Sequence, residues 1–335
     1  MLNARYMITL LAMVFGTSAQ SQPQIFYAGK QINLVAGSAA GGGYDLLARL
    51  TARHMGKHIP GKPSIVVQNM PAGGSLVAAN YLANNAPRDG LTIALLQRGM
   101  LLIGLNKLPQ VQFDISKFNW LGSLNSEVGV TLANASSEFL TTRDLFEKEL
   151  VVGGVINVDP ETTARLYNDL LGTKFKIVNG YNGTTEIGLA MERGELQGIA
   201  DWSWSSFNAQ QPHWLRDGKV KVLLQGSLNA PPELAHVPRA LDFTKGPLER
   251  AVLELYFTQK TVARPFLTPP EVPSDRLATL RTAFNALMDD KEFHADAERS
   301  KLEVNLIDSV AVEKIVSLIT STNEGVRNRY VNATK

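Results

Sequence analysis

Apolar positions along this chain fall in short unbroken runs that alternate with longer segments where they recur at helical spacing. Residues 31–36 (Gln-Ile-Asn-Leu-Val-Ala) read as a buried strand and the glycine-rich stretch from Gly37 to Gly43 as a loop. The next segment reads as a helix, with Leu46, Leu47 and Leu50 on one side and Arg49 and Arg53 on the other. The unit then repeats. Residues 64–68 predict a strand, residues 71–75 a loop ending on Ser75 as a helix N-cap, and residues 76–82 a short helix. Pro87-Arg-Asp-Gly90 turns the chain into a strand at 91–96.

Residues 101–124 are less regular, and from the run at 128–132 a second alternating series begins. It predicts strands at 150–155, 175–178, 198–201 and 220–224, with helices at 161–171, 184–192 and 204–215. Past the prolines of 231–238 come an apolar segment at 248–257, a loop at 264–270, and helices at 274–288 and 310–328. Strands that alternate with helices predict parallel pairing through right-handed crossovers, so the chain reads as two α/β units. A length of 335 residues with 44% hydrophobic side chains suits two domains, each with its own core.

The first residues are of another kind. Arg5, the apolar run at 7–15 and Thr17-Ser18-Ala19 match a cleaved signal peptide over residues 1–19, the run being about half the ~20 residues that cross a bilayer. No later stretch is apolar enough to span, so no membrane anchor of its own is expected. Cys is absent, which removes disulfides, thiolate chemistry and lipid attachment at cysteine. A net charge of +2 with no basic run among aromatics speaks against nucleic acid as a partner.

Little in the chain suggests catalysis or a cofactor. The loop from Gly37 to Gly43, between a strand and a helix, is a natural anion site, because backbone N–H groups and the helix dipole both face it. It runs into Gly43-Tyr44-Asp45 without the lysine of a phosphate-binding loop, and Gln68-Asn69 stand where a dinucleotide fold needs an acid. His54 and His58 are one helical turn apart but lack an intervening glutamate, and they read as surface histidines near a helix end rather than as metal ligands. Gly73-Gly74-Ser75-Leu76-Val77 is not a nucleophile elbow. The expectation is no enzyme, no metal and no cofactor.

Three stretches in order carry a family resemblance: residues 35–49 (Val-Ala-Gly-Ser-Ala-Ala-Gly-Gly-Gly-Tyr-Asp-Leu-Leu-Ala-Arg), 67–74 (Val-Gln-Asn-Met-Pro-Ala-Gly-Gly) and 86–92 (Ala-Pro-Arg-Asp-Gly-Leu-Thr). Over nearly the whole mature length the chain resembles the extracytoplasmic solute receptors of tripartite tricarboxylate transporters. The resemblance implies a type II periplasmic-binding-protein fold, with two α/β lobes, two crossing strands and a ligand cleft between the lobes. Lobe one would be residues 28–125 plus 245–335 and lobe two residues 126–244. It also implies a monomeric periplasmic protein that captures a small di- or tricarboxylate or aromatic acid and delivers it to the transporter's membrane subunits.

In such receptors the loop after the first strand holds a ligand carboxylate through backbone amides and waters. This maps onto Ser38, Ala39, Ala40, Gly41, Gly42 and Gly43, whose glycines would admit the ligand, with Asp45 fixing the loop as a helix cap. Tyr181, Asn182, Gly183 and Thr184 match a second family turn and would receive another polar group. The turn at 153–160 departs from the glycine- and serine-rich family pattern and is assigned no contact. Asp201, Trp202 and Trp204 follow a predicted strand at the same edge, where the tryptophans either stack on a flat ligand or pack the next helix. Two other readings remain: a sensor that presents its ligand to a signalling partner, and a periplasmic hydrolase or lyase on the same fold.

Overall fold

The structure, a computed structural model, describes residues 25–106 and 108–335. The expected signal peptide lies outside the described residues. The chain first lays down β1 (Gln31–Ala36), α1 (Gly43–Met55), β2 (Ser64–Asn69), α2 (Leu76–Asn84), β3 (Thr92–Leu95), α3 (Met100–Ile103) and β4 (Asn119–Ser123). It then builds β5 (Gly129–Asn134), α4 (Asp144–Glu147), β6 (Leu150–Gly154), α5 (Asp159–Leu166), β7 (Phe175–Asn179), α6 (Thr184–Glu192), β8 (Gly198–Ser203), α7 (Trp204–Gln210) and β9 (Val220–Gly226). The return comprises α8 (Pro247–Thr258), β10 (Pro265–Thr268), α9 (Ser274–Asn285), α10 (Lys291–Arg299), β11 (Ile307–Asp308), α11 (Ser309–Thr320) and α12 (Glu324–Ala333).

Two sheets result, ordered β2-β1-β3-β10-β4-β11 and β7-β6-β8-β5-β9. Both are mixed, which corrects the expectation of parallel pairing throughout: β1 runs parallel to β2 and β3, and β6 to β7 and β8, but β10 and β5 are antiparallel to both their neighbours. Each antiparallel intruder arrives from the other lobe. β5 enters the second sheet directly after β4 of the first, and β10 re-enters the first after β9.

Side-chain alternation along β1 sends Ile32, Leu34 and Ala36 to one face, against Leu47 and Leu50 of α1 and Phe284 of α9, while Val35 joins Ala78, Ala79 and Leu82 of α2 on the other. Val130 and Leu132 of β5 likewise face Ile187 of α6 and Trp202, and Ala133 faces the opposite way.

Several elements differ from the sequence reading. β10 occupies the stretch read as a loop, and β4 lies inside the irregular segment. The helix read at 161–171 stays α-helical to Leu166, then widens to i→i+5 bonding over residues 167–171 and stops on Gly172 at φ +88°. The helix read at 310–328 breaks into α11 and α12, where Asn323 caps the second by accepting Val326 N–H at 3.0 Å. The helix read at 204–215 ends at Gln210, and Trp214 folds back into the core.

Candidate functional site

The carboxyl ends of β1, β3, β6 and β8 and the starts of α1, α5, α6 and α7 converge on one cavity of about 270 Å³ between the two sheets. Crevices at the carboxyl ends of strands, next to helix N-termini, are where α/β folds bind ligands. One lobe contributes residues 38–44 and 97–99, the other Val155, residues 157–160, 182–186 and 201–203 and Ser206, and Arg264 enters from the return segment.

The six loop residues from Ser38 to Gly43 all line this cavity. Glycine is needed at only part of the loop. Gly41 has φ +82°, where a side chain is strained, and a Cβ on Gly43 would stand 2.6 Å from Ser206 Oγ and 3.5 Å from Arg264 Nη2. Gly42 has φ −82°, and a Cβ there would meet nothing nearer than Ala39 O at 3.9 Å. Asp45 is not a cap and does not line the cavity. It is the third residue of α1, buried behind the loop, where Oδ2 accepts Gly41 N–H at 2.9 Å and Arg49 Nε–H at 3.0 Å and Oδ1 accepts Asn69 Nδ2–H at 2.8 Å. Burial pushes its carboxyl up, but the hydrogen bonds from Arg49, Gly41 and Asn69 outweigh it, so Asp45 titrates below the usual range. Ser75 sits at the N-cap position of α2 without capping it: its hydroxyl donates to Gly37 O at 2.5 Å and accepts Gln97 N–H at 2.9 Å, tying the loop after β1 to the end of β3.

In the second lobe Asn182, Gly183 and Thr184 reach the cavity, whereas Tyr181 packs against the lobe's core. Trp204 also turns away from the cavity, its ring stacked on Phe207 at 5.9 Å. Trp202 adjoins the cavity wall, but its side chain is buried in edge contacts with Phe207 and Trp214. Both rings are thus packed in the aromatic cluster of this lobe. The turn at 153–160, which was assigned no contact, supplies a large part of the second wall.

The cavity floor is a buried charge network that sequence reasoning reached only at Asp201. Lys260 Nζ lies 2.7 Å from Asp201 Oδ2 and 3.5 Å from Asp159 Oδ2. Arg98, from the other lobe, pairs with Asp159 and donates to Ser203 Oγ at 3.1 Å. Thr163 donates to Asp201 at 2.8 Å, and the Tyr256 hydroxyl to Asp159 at 3.1 Å. Arg264 stacks on Tyr44, 4.2 Å from the ring centroid, donates to Ser206 Oγ at 2.9 Å and lies 3.7 Å from Glu127. Burial alone would raise both aspartates. At Asp159 the Arg98 and Lys260 charges win and bring its pKa to about 2, while Asp201, with Asp159 as an anionic neighbour, is left raised. The missed members are single charges scattered from Arg98 to Arg264. No local signal marks them: Lys260, for one, sits in the polar stretch Thr258-Gln-Lys-Thr261, where a charge is unremarkable.

His54 and His58 are not free surface histidines. They bind Asp296 at 3.0 Å and Asp290 at 2.9 Å, and so join α1 to α10. His54, Asp290 and Glu292 are close enough to share a cation, but Lys57 Nζ already lies 2.8 Å from Asp290 and 2.6 Å from Glu292.

Two α/β lobes with this strand order, exchanging a strand each around a common cleft, define the type II fold of periplasmic binding proteins. The chain is similar to a TctC solute-binding protein from Polaromonas (18% identity, TM-score 0.61, covering 92% of this chain and 98% of that one). It is also similar to the R. palustris protein Rpa4515 with adipate (18%, TM-score 0.69, 91% and 98%). A third similar structure is MatC from Rhodopseudomonas palustris with bound malate (18%, TM-score 0.67, 92% and 99%). No protein-family model and no curated protein matches the chain in sequence.

Proposed function

We propose that this protein is a solute receptor of the tripartite tricarboxylate transporter type, which captures a small organic carboxylate in the periplasm and passes it to membrane subunits. One observation carries the reading. Among the described residues, six of the eleven buried polar side-chain atoms without a partner belong to residues that line the cavity; leaving aside Trp202 Nε1, whose ring is packed in the core, Ser38 Oγ, Arg98 Nε and Nη1 and Arg264 Nη1 can donate, and only Asp201 Oδ1 is purely an acceptor. Buried donors left unmet cost stability, so such a wall is completed by a guest rich in acceptors, as a carboxylate is. The loop at 38–43 supports the same reading, since the N–H groups opening α1 face the cavity.

The fold, the adipate and malate in similar structures, and the three sequence motifs agree with it. Receptor rather than enzyme is the reading because Asp159 is held low by Arg98 and Lys260, a poor state for a general base, and no histidine is among the described residues that line the cavity. No helix among the described residues is long and apolar enough to cross a membrane. In this reading the lobes are residues 28–125 with 245–335, and residues 126–244, and export is directed by residues 1–19. A thermal-shift screen of mono-, di-, tricarboxylic and aromatic acids tests the function. A cognate acid at a hundred times its Kd stabilises by about 2.7 kcal/mol and is recovered unchanged. No stabilisation by any acid, or consumption of the acid, overturns it.

A further inference from the structure

Three of the four helices that open on the cleft, α1, α5 and α6, share a device: each bends a carboxylate back onto the N–H four residues earlier. Asp45 takes Gly41 N–H at 2.9 Å, Glu161 takes Asn157 N–H at 2.9 Å, and Glu186 takes Asn182 N–H at 2.9 Å. Two of these charges are neutralised, Asp45 by Arg49 at 3.0 Å and Glu161 by Arg165 at 2.9 Å. Glu186 differs. Its oxygens bind only Asn182, N–H and side-chain amide alike, and among the described residues no basic group lies within ion-pair distance. It is exposed and lines the cavity, where it is the one carboxylate without a cation: Asp159 has Arg98 and Lys260, and Asp201 has Lys260.

Resting on the receptor reading, we propose that Glu186 selects acids that carry one carboxylate and, at the far end, an ammonium or amide donor, over dicarboxylates. The ligand's carboxylate belongs at the loop 38–43, where the start of α1 and Arg264 offer donors. The turn at 182–186 in the opposite lobe offers an acceptor and a fixed negative charge. A second carboxylate there is left facing a like charge with no counter-ion, whereas an ammonium or amide N–H gains a charge-assisted hydrogen bond. On the floor Arg98 and Lys260 already have Asp159 and Asp201 as counter-ions.

Titration calorimetry of the mature chain with length-matched pairs tests this: succinate against 4-aminobutanoate, glutarate against 5-aminopentanoate, adipate against 6-aminohexanoate, with butanoate, pentanoate and hexanoate as single-ended controls. The expected result is that at the best length the amino acid binds about tenfold or more tightly than the diacid. Glu186→Gln, which keeps an acceptor for Asn182, weakens the amino acid and strengthens the diacid, shrinking the ratio about tenfold while the unliganded melting temperature holds. A diacid that matches or beats its partner in the wild type, an amino group that gains nothing over the single-ended acid, or a ratio unmoved by Glu186→Gln overturns the selectivity and leaves the receptor reading standing. Failure of every acid to bind overturns both.

Discussion

The indole of Trp202 shows how a residue next to a cavity can belong wholly to the core. Its side chain is buried against Phe207 and Trp214, and Gly188 is a glycine beneath it because a Cβ there would stand 2.9 Å from the ring. Trp202→Ala is expected to cost about 3 to 5 kcal/mol of stability, as large-to-small core changes do, with affinity in the folded fraction changed less than threefold. Urea unfolding beside calorimetry checks it, and a large loss of affinity at unchanged stability would return the ring to ligand stacking. At this scale the sequence was readable where chemistry follows local position and opaque where it follows distance. The loop 38–43 announces itself by lying between a strand and a helix. Arg98, Asp159, Lys260 and Arg264 become a network only once the fold brings together groups up to 166 positions apart (264 − 98).

Among the elements, α1 and α10 are joined by charge as much as by packing. Asp290 caps α10 through the N–H groups of Glu292 and Phe293 at 3.0 and 3.3 Å, and its other oxygen meets His58 and Lys57 of the turn that follows α1. Burial would raise its carboxyl, but Lys57, His58 and the Phe293 amide outweigh burial and hold it well below the usual carboxylate range. A carboxyl depressed in the folded state contributes stability that is whole above its unfolded pKa, near 4, and fades as pH falls toward the folded one. Asp290→Asn is therefore expected to destabilise by about 1 kcal/mol at pH 7, the partly exposed Lys57 limiting the gain, and by progressively less from pH 5 down to 2. Urea unfolding at pH 7 and pH 2.5 measures it, and an equal deficit at both would remove the charge from the account. α10 was not legible in advance, because only Phe293 and Ala297 are buried in it and the pattern is too sparse to read as a helix. β10 and β4 were hidden differently: four and five residues long, the first opening on Pro265 and followed by Pro269, the second broken by Gly122, they resemble loops until two neighbours pair with them.

For the whole molecule, the parallel half of each sheet was legible because helix and strand periods alternate there, while the exchange of β5 and β10 was carried only by the family resemblance, as two crossing strands, because a strand's destination is a tertiary fact that periodicity does not hold. That exchange also bears on time. The second sheet is built from one uninterrupted stretch, Gly129 to Gly226, whereas β3 must wait for β10, and β4 for β11, before either has its full set of neighbours. Closing long loops slows pairing, and unpaired edges persist meanwhile. In refolding followed by pulsed hydrogen exchange, amides of β6 and β8 are expected to become protected in an earlier phase than those of β3 and β4, and simultaneous protection would show that the lobes condense together. A chain emerging amino end first thus makes its earliest strands long before their last neighbours exist, so the oldest part of the polypeptide is the last to be finished.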